Sequence, residues 1–161
     1  MAFSFREDAP VLGSSTQIDM SNAPGQLTSL PKVQAYEFIQ VNNLVATSTS
    51  QTAFVVPVST LYGTYKFEYA VANFGTASTS GTLQVEKAHG TQAIGSGTAL
   101  LQGTISLAGT ANTPVDSSGS AAPVTNPNTL TLAAGDRLNI LLAGTLTSLA
   151  NCSVVLVLSR Q

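Results

Sequence analysis

The sequence contains few charged residues. Only 9% of its 161 residues are Asp, Glu, Lys or Arg, whereas ordinary globular domains contain about 25%. Six basic residues spread along the chain are too few to neutralise a series of phosphates, so nucleic acid is not an expected partner. Ser and Thr together supply 38 residues. The polar surface must therefore consist mostly of hydroxyl and amide groups.

Residues that carry chemistry are also scarce. The single cysteine, Cys152, cannot form an intrachain disulfide and is interpreted as a small core residue. The single histidine, His89, lies in a predicted turn with no neighbouring carboxylate in sequence except Glu86, and no Cys-x-x-Cys accompanies it. Gly-x-Ser-x-Gly and Gly-x-x-x-x-Gly-Lys are both missing. We therefore predict a protein that is not an enzyme, with no catalytic residue, metal, cofactor or small-molecule substrate.

Long apolar runs are missing from the N-terminal region. Arg6, Glu7 and Asp8 interrupt it, so export by a cleaved signal peptide is not expected. Residues 138–158 carry no charge and are long enough to cross a bilayer, which leaves a transmembrane helix as an alternative. Small polar residues divide this stretch into two short runs, LNILLAG and VVLVL. Two strands with a connector are favoured, and no membrane partner is expected.

Apolar residues follow the period of a strand rather than that of a helix. Tyr65, Phe67, Tyr69 and Val71 alternate with other residues, which predicts that these four side chains face a core. The same alternation occurs at residues 82–86 and 129–132.

Three further segments also have strand character. Residues 154–158 are apolar on both parities, as in a strand covered on both faces. Residues 36–41 and 53–58 are additional candidates, and Pro57 makes the second an edge strand or a bulge. About eight short strands separated by turns predict an all-β fold, and we expect a jelly-roll β-sandwich, with another sandwich or barrel topology left open.

Two regions do not follow this pattern. Residues 1–31 contain three prolines and scattered apolar residues, which predicts an extended N-terminal arm before a sandwich domain at 32–161. The arm is expected to lie on its own sheet or on a neighbouring subunit, and a floppy terminus is the alternative. Residues 106–128 predict a long surface loop that is functional or ordered by subunit contacts. The predicted contact residues are Phe3, Phe5, Val11, Leu12 and Ile18 in the arm and Asp116, Ser117 and Ser118 in the loop.

Aromatic residues are concentrated in one part of the chain. Eight of the ten lie between Tyr36 and Phe74, and none follows Phe74. Glycan-binding sites often present an aromatic face, so the lack of Trp and of aromatics in the later loops disfavours sugar recognition. The cluster around Tyr62, Tyr65, Phe67 and Tyr69 is interpreted as core packing.

Residues 130–140, LTLAAGDRLNI, with the apolar segment that ends at Leu158, resemble the Gly-Asp turn and last strands of trimeric jelly rolls such as the C1q and tumour-necrosis-factor group. Phage virion jelly rolls carry a similar Leu-x-x-Gly-Asp-x-Leu pattern. With its low charge and its arm, the whole chain resembles a tailed-phage capsid decoration, or cement, protein.

This resemblance implies a homotrimer that clamps neighbouring major capsid proteins on the outer surface of the capsid and is present in the host cytoplasm during assembly. The alternative function is a tail-fibre or spike module that binds a receptor through residues 106–128.

Overall fold

The computed structural model describes residues 35–58 and 63–161. Within these ranges the chain folds almost entirely into β-strands, as the alternating apolar pattern predicted, and helix is limited to a 3-10 turn at Gly119–Ala121 and one short helix, α1, at Pro127–Leu130. The strands are β1 (Tyr36–Leu44), β2 (Gln51–Val55), β3 (Tyr65–Asn73), β4 (Thr82–His89), β5 (Thr98–Ala99), β6 (Ile105–Ser106), β7 (Val115–Asp116), β8 (Thr131–Leu132), β9 (Asp136–Ala143) and β10 (Cys152–Arg160).

The strands form two antiparallel sheets that make a β-sandwich. Sheet A has the order β1-β10-β3-β7, and β8 also pairs with β3. Sheet B has the order β2-β9-β4-β5, and β6 also pairs with β4. Among the described residues, the first and last strands are therefore neighbours, and both β1 and β2 lie at sheet edges.

The core lies between the inner faces of the two sheets. It is made of aliphatic and aromatic side chains, and the Phe54 and Tyr65 rings meet edge to face across it, with centroids 5.7 Å apart. Burial of such side chains stabilises a fold by about 25 cal/mol per Å² of apolar surface. The largest fully buried side chains are Phe67, Phe74, Leu83, Leu100, Leu101, Ile105, Leu107, Leu132, Leu138, Ile140, Leu156 and Leu158.

The prediction that four alternating residues of β3 face the core is wrong for two of them. Tyr65 and Phe67 are buried, but Tyr69 is 42% exposed and Val71 is only half-buried. Ala70, which alternation assigned to the outside, is fully buried instead.

A β-bulge explains this reversal. In the pairing of β3 with β10, Leu158 lies opposite Phe67 and Val157 lies opposite Tyr69, so Glu68 is an extra residue in β3. Since a shift of one residue turns the following side chains to the other face of a sheet, β3 changes parity at this point.

Two smaller predictions had different outcomes. Pro57 was expected to limit its strand to an edge, and β2 does end before it at the edge of sheet B. A strand was expected to include Thr129 and Leu130, but α1 occupies these positions and only β8 follows. The Asn126 side chain accepts a hydrogen bond from the Asn128 N–H at 3.0 Å, and this N-cap starts the helix.

The uncharged segment at residues 138–158 forms two strands, β9 and β10, joined by a connector, as the small polar residues predicted. In the part of the chain that the structure describes, no helix has the length and apolar character needed to span a membrane. The predicted arm at residues 1–31, with its five contact residues, and the aromatic Tyr62 lie outside the described residues.

Candidate interaction surface

The outer side of sheet A carries a row of apolar side chains across three strands. Val157 of β10 pairs with Phe38 of β1 on one side and with Tyr69 of β3 on the other. Residues directly opposite each other in an antiparallel pair point to the same face, so these three side chains stand together. We call this outer side, with Tyr36, Phe38, Val71, Val155, Val157 and Tyr69, the aromatic face.

The aromatic side chains of this face are open to solvent. Phe38 is 65% exposed, Tyr36 is 51% exposed and Tyr69 is 42% exposed, whereas Val157 between them is only 2% exposed. Isolated exposed apolar residues are common on proteins, but a contiguous group is typical of a contact surface. The aromatic face is thus the strongest candidate for a functional surface in the described residues.

Polar groups border the aromatic row on one side. Lys66 forms an ion pair with Glu68 at 2.9 Å, and the Ser159 hydroxyl donates a hydrogen bond to Oε1 of Glu68 at 2.5 Å. Both charges are partly exposed, and they compensate each other within the face. This border adds polarity without adding net charge.

The loop residues predicted to make contacts lie at the far edge of the same sheet. Asp116 belongs to β7, pairs with Val71 and is exposed on the side of the aromatic face. Ser117 is 6% exposed, because its hydroxyl accepts the Ala70 N–H at 2.9 Å and its own N–H binds the Ala70 carbonyl. Ser117 therefore fixes β7 to β3 and is buried, while Ser118 is exposed.

The outer side of sheet B is built differently. Glu86 on β4 is 2% exposed, and its carboxylate accepts the N–H groups of Gly95 at 2.7 Å and Gly97 at 2.9 Å. Asn139 on β9 donates to the same carboxylate at 2.8 Å and accepts from the Thr52 hydroxyl at 2.7 Å. These contacts hold the connection between β4 and β5 over sheet B, so a polar row there is covered by the chain itself.

His89 has a carboxylate partner that sequence reasoning missed. The pairing of β4 with β9 places it opposite Asp136, and the two side chains meet at 2.6 Å. The other oxygen of Asp136 accepts the Ala133 N–H at 2.8 Å, so this carboxylate also fixes the Gly-Asp turn. The His89 side chain is 69% exposed, and no cluster of three metal-ligating side chains occurs among the residues described.

Cys152 faces the core from the start of β10 and is fully buried. Burial raises the pKa of its thiol from 9.0 to about 11. Since the thiolate is the reactive form of cysteine, this side chain stays protonated near neutral pH, as suits a core residue.

Sequence reasoning also missed Phe38 and Tyr36 as surface residues. In residues 36–41, apolar residues occur at both odd-numbered and even-numbered positions. This pattern is compatible with a strand that is buried on both sides and also with a strand that has one exposed apolar face. Only the edge position of β1 decides between these two cases.

Comparison with known proteins found no match: no protein family, no curated protein and no solved structure resembles the chain at a significant level.

Proposed function

We propose that this chain is a non-enzymatic virion structural protein, a capsid decoration or cement protein. It would associate as a homotrimer on the outer shell and clamp neighbouring major capsid proteins, with residues 1–31 as the clamp. The single observation that carries a role in assembly is the aromatic face, since an exposed group of aromatic side chains on paired strands fits a protein partner.

The strand order supports a jelly-roll topology as part of this proposal. A jelly roll contains eight strands arranged as two Greek keys in two sheets. Both β5 and β6 pair with β4, and both β7 and β8 pair with β3. If each of these two pairs is counted as one interrupted strand, each sheet has four strands, which fits that count. The adjacency of β1 and β10 fits the return of the last strand to the first.

The buried carboxylates support a structural rather than a catalytic role. Glu86 binds backbone amides of the covering connection, and Asp136 binds a backbone amide of its own turn with one oxygen and the His89 ring with the other. Carboxylates whose lone pairs are used in this way position the backbone and are poorly placed to act as general acids or bases.

The proposed function is tested by the copy number of the chain in purified particles from its source, measured by quantitative mass spectrometry against the most abundant shell protein. A ratio near that of the shell protein is expected for a decoration protein. A few copies per particle would favour a tail or spike component, and absence from particles would contradict the virion assignment.

The receptor-binding alternative has its own supporting observation. Between β6 and α1 most residues are exposed, including the stretch from Ala108 to Thr110 and that from Ser118 to Ser120. A receptor-binding module should bind whole cells or a glycan array, and substitutions at these positions should weaken that binding. A decoration protein is expected to bind neither.

A further inference from the structure

We propose that the aromatic face is the surface through which copies of this chain associate with one another. This inference rests on the proposed homotrimer and assigns the contact to one side of one sheet. The occupant of the face is a second copy of the domain, and other proteins are alternatives that the experiment below distinguishes.

The size of the face fits a specific protein contact. Strands β1, β3 and β10 each have nine residues, and β7 and β8 add a fourth column. With strands about 4.8 Å apart and a rise of about 3.3 Å per residue, the flat area is roughly 570 Å² before side-chain relief is counted. A partner in a standard interface contributes about 800 Å². The flat area of the whole face is therefore somewhat below one side of a standard interface, so the contact requires the whole face.

The charge of the face fits an identical partner. When three copies pack this face around a three-fold axis, an unpaired charge near the axis lies close to the same charge of the other copies. The row of Phe38, Val157 and Tyr69 has no charge, and the nearby Lys66 and Glu68 are already paired with each other. Asp116 adds its charge only at the far edge. Self-association therefore brings no like charges together at the centre.

The side chains of the face have the character of interface anchors. Aromatic residues dominate binding energy at protein interfaces, and Tyr combines a large apolar area with a polar hydroxyl at the rim. Phe38 and Tyr69 stand on either side of the buried Val157, so they project from a rigid three-stranded base rather than from a loop. The backbone that carries these side chains therefore has little conformational entropy to lose when the face is covered.

The test compares two matched substitutions in the full-length chain, Phe38→Asp and Val55→Asp. Both residues are exposed apolar residues on edge strands, Phe38 in sheet A at 65% and Val55 in sheet B at 52%. Molar mass is measured by light scattering and sedimentation at micromolar concentration. The wild-type chain and Val55→Asp are expected at three times the 16.5 kDa of one chain. For Phe38→Asp we expect the dissociation constant to rise at least about 30-fold, as for loss of an interface hot spot, with the mass falling towards that of one chain.

A second variant keeps the test independent of folding. Tyr69→Ser removes an aromatic side chain from the neighbouring strand without introducing charge and is also expected to weaken association. Far-UV circular dichroism and urea unfolding of each variant separate loss of association from loss of fold. If both folded variants keep the wild-type mass, or if the wild-type chain is monomeric, the assignment of this face is overturned.

The outcomes also separate this inference from the proposed function. If the trimer persists in both variants and the chain occurs at high copy number in particles, the decoration role is supported and only the assignment of the face is contradicted. A chain that loses its trimer in Phe38→Asp but is absent from particles would support the face and contradict the virion role. If the folded wild-type monomer binds purified shells through this face, the occupant is the shell protein and the second-copy proposal is wrong.

Discussion

The outer sides of the two sheets differ in how they are covered. Sheet B carries a buried polar row, in which Glu86 and Asn139 are almost completely shielded beneath the β4–β5 connection. Sheet A carries an apolar row in which Phe38 and Tyr69 remain open. The outer side of sheet B is covered by the chain's own backbone. In the described residues, the outer side of sheet A presents aromatic rings to solvent. Under the proposed function the two sheets have separate tasks, one in holding the domain together and one in contact with another molecule.

The largest expected effect on stability comes from removing the carboxylate that holds the covering connection on sheet B. In Glu86→Ala the N–H groups of Gly95 and Gly97 and the Asn139 amide lose their acceptor in a buried site. We expect the free energy of unfolding, measured in urea, to fall by about 3 kcal/mol, because each orphaned buried donor costs about 1–3 kcal/mol. The matched control Glu37→Ala removes an exposed carboxylate from β1 and should change it by less than about 0.5 kcal/mol. Equal, small losses in the two variants would show that the covering connection does not depend on this carboxylate.

A second prediction concerns Cys152 on the inner side of sheet A. Water should be excluded from this inner side, in contrast to the exposed outer side. The folded chain holds the Cys152 proton up to a pKa of about 11, whereas the unfolded chain releases it near 9.0. The protonated thiol therefore makes its full contribution to the stability of the fold below about pH 9, and this contribution is lost as the pH rises towards 11. Between about pH 8 and about pH 11 the free energy of unfolding of the wild-type chain should fall by about 2 kcal/mol more than that of Cys152→Ala, since one pKa unit corresponds to about 1.4 kcal/mol. Parallel pH profiles for the two proteins would indicate that water reaches the thiol.

The smallest expected effect is local and concerns how closely the connection lies on sheet B. A Cβ at Gly97 would clash with the Lys87 carbonyl oxygen, so Gly97→Ala must lift the connection away from β4. Amide hydrogen exchange at Gly95 should then become about tenfold faster, as expected for a local opening made easier by about 1.4 kcal/mol. The control Gly90→Ala meets no atom within 4 Å and introduces only backbone strain at a φ of +56°. Exchange at Gly95 that responds equally to both substitutions would contradict the close packing of Gly97.

The fold class could be predicted from the sequence because alternation of apolar residues is a local property. The alternation at residues 82–86 and the double-sided apolar run at residues 154–158 both correspond to strands. The aromatic face could not be predicted, because Tyr69 faces outward only as a result of a bulge that is defined by pairing with β10. The contact between His89 and Asp136 was equally hidden, since it depends on the register of β4 against β9 across 47 residues. Local pattern thus determined the elements, whereas long-range register determined the surface.

The bulge in β3 has a consequence for insertions and deletions. Before Glu68 the inward residues of β3 are odd-numbered, as at Phe67, and after it they are even-numbered, as at Ala70. Removing Glu68 would give an unbroken alternation that leaves Tyr69 outward and Ala70 inward. Removing Ala70 would leave the following residues on the wrong sides. An alignment gap at position 68 is therefore compatible with the aromatic face, and relatives that share this surface are expected to tolerate a change of length at this one point in β3.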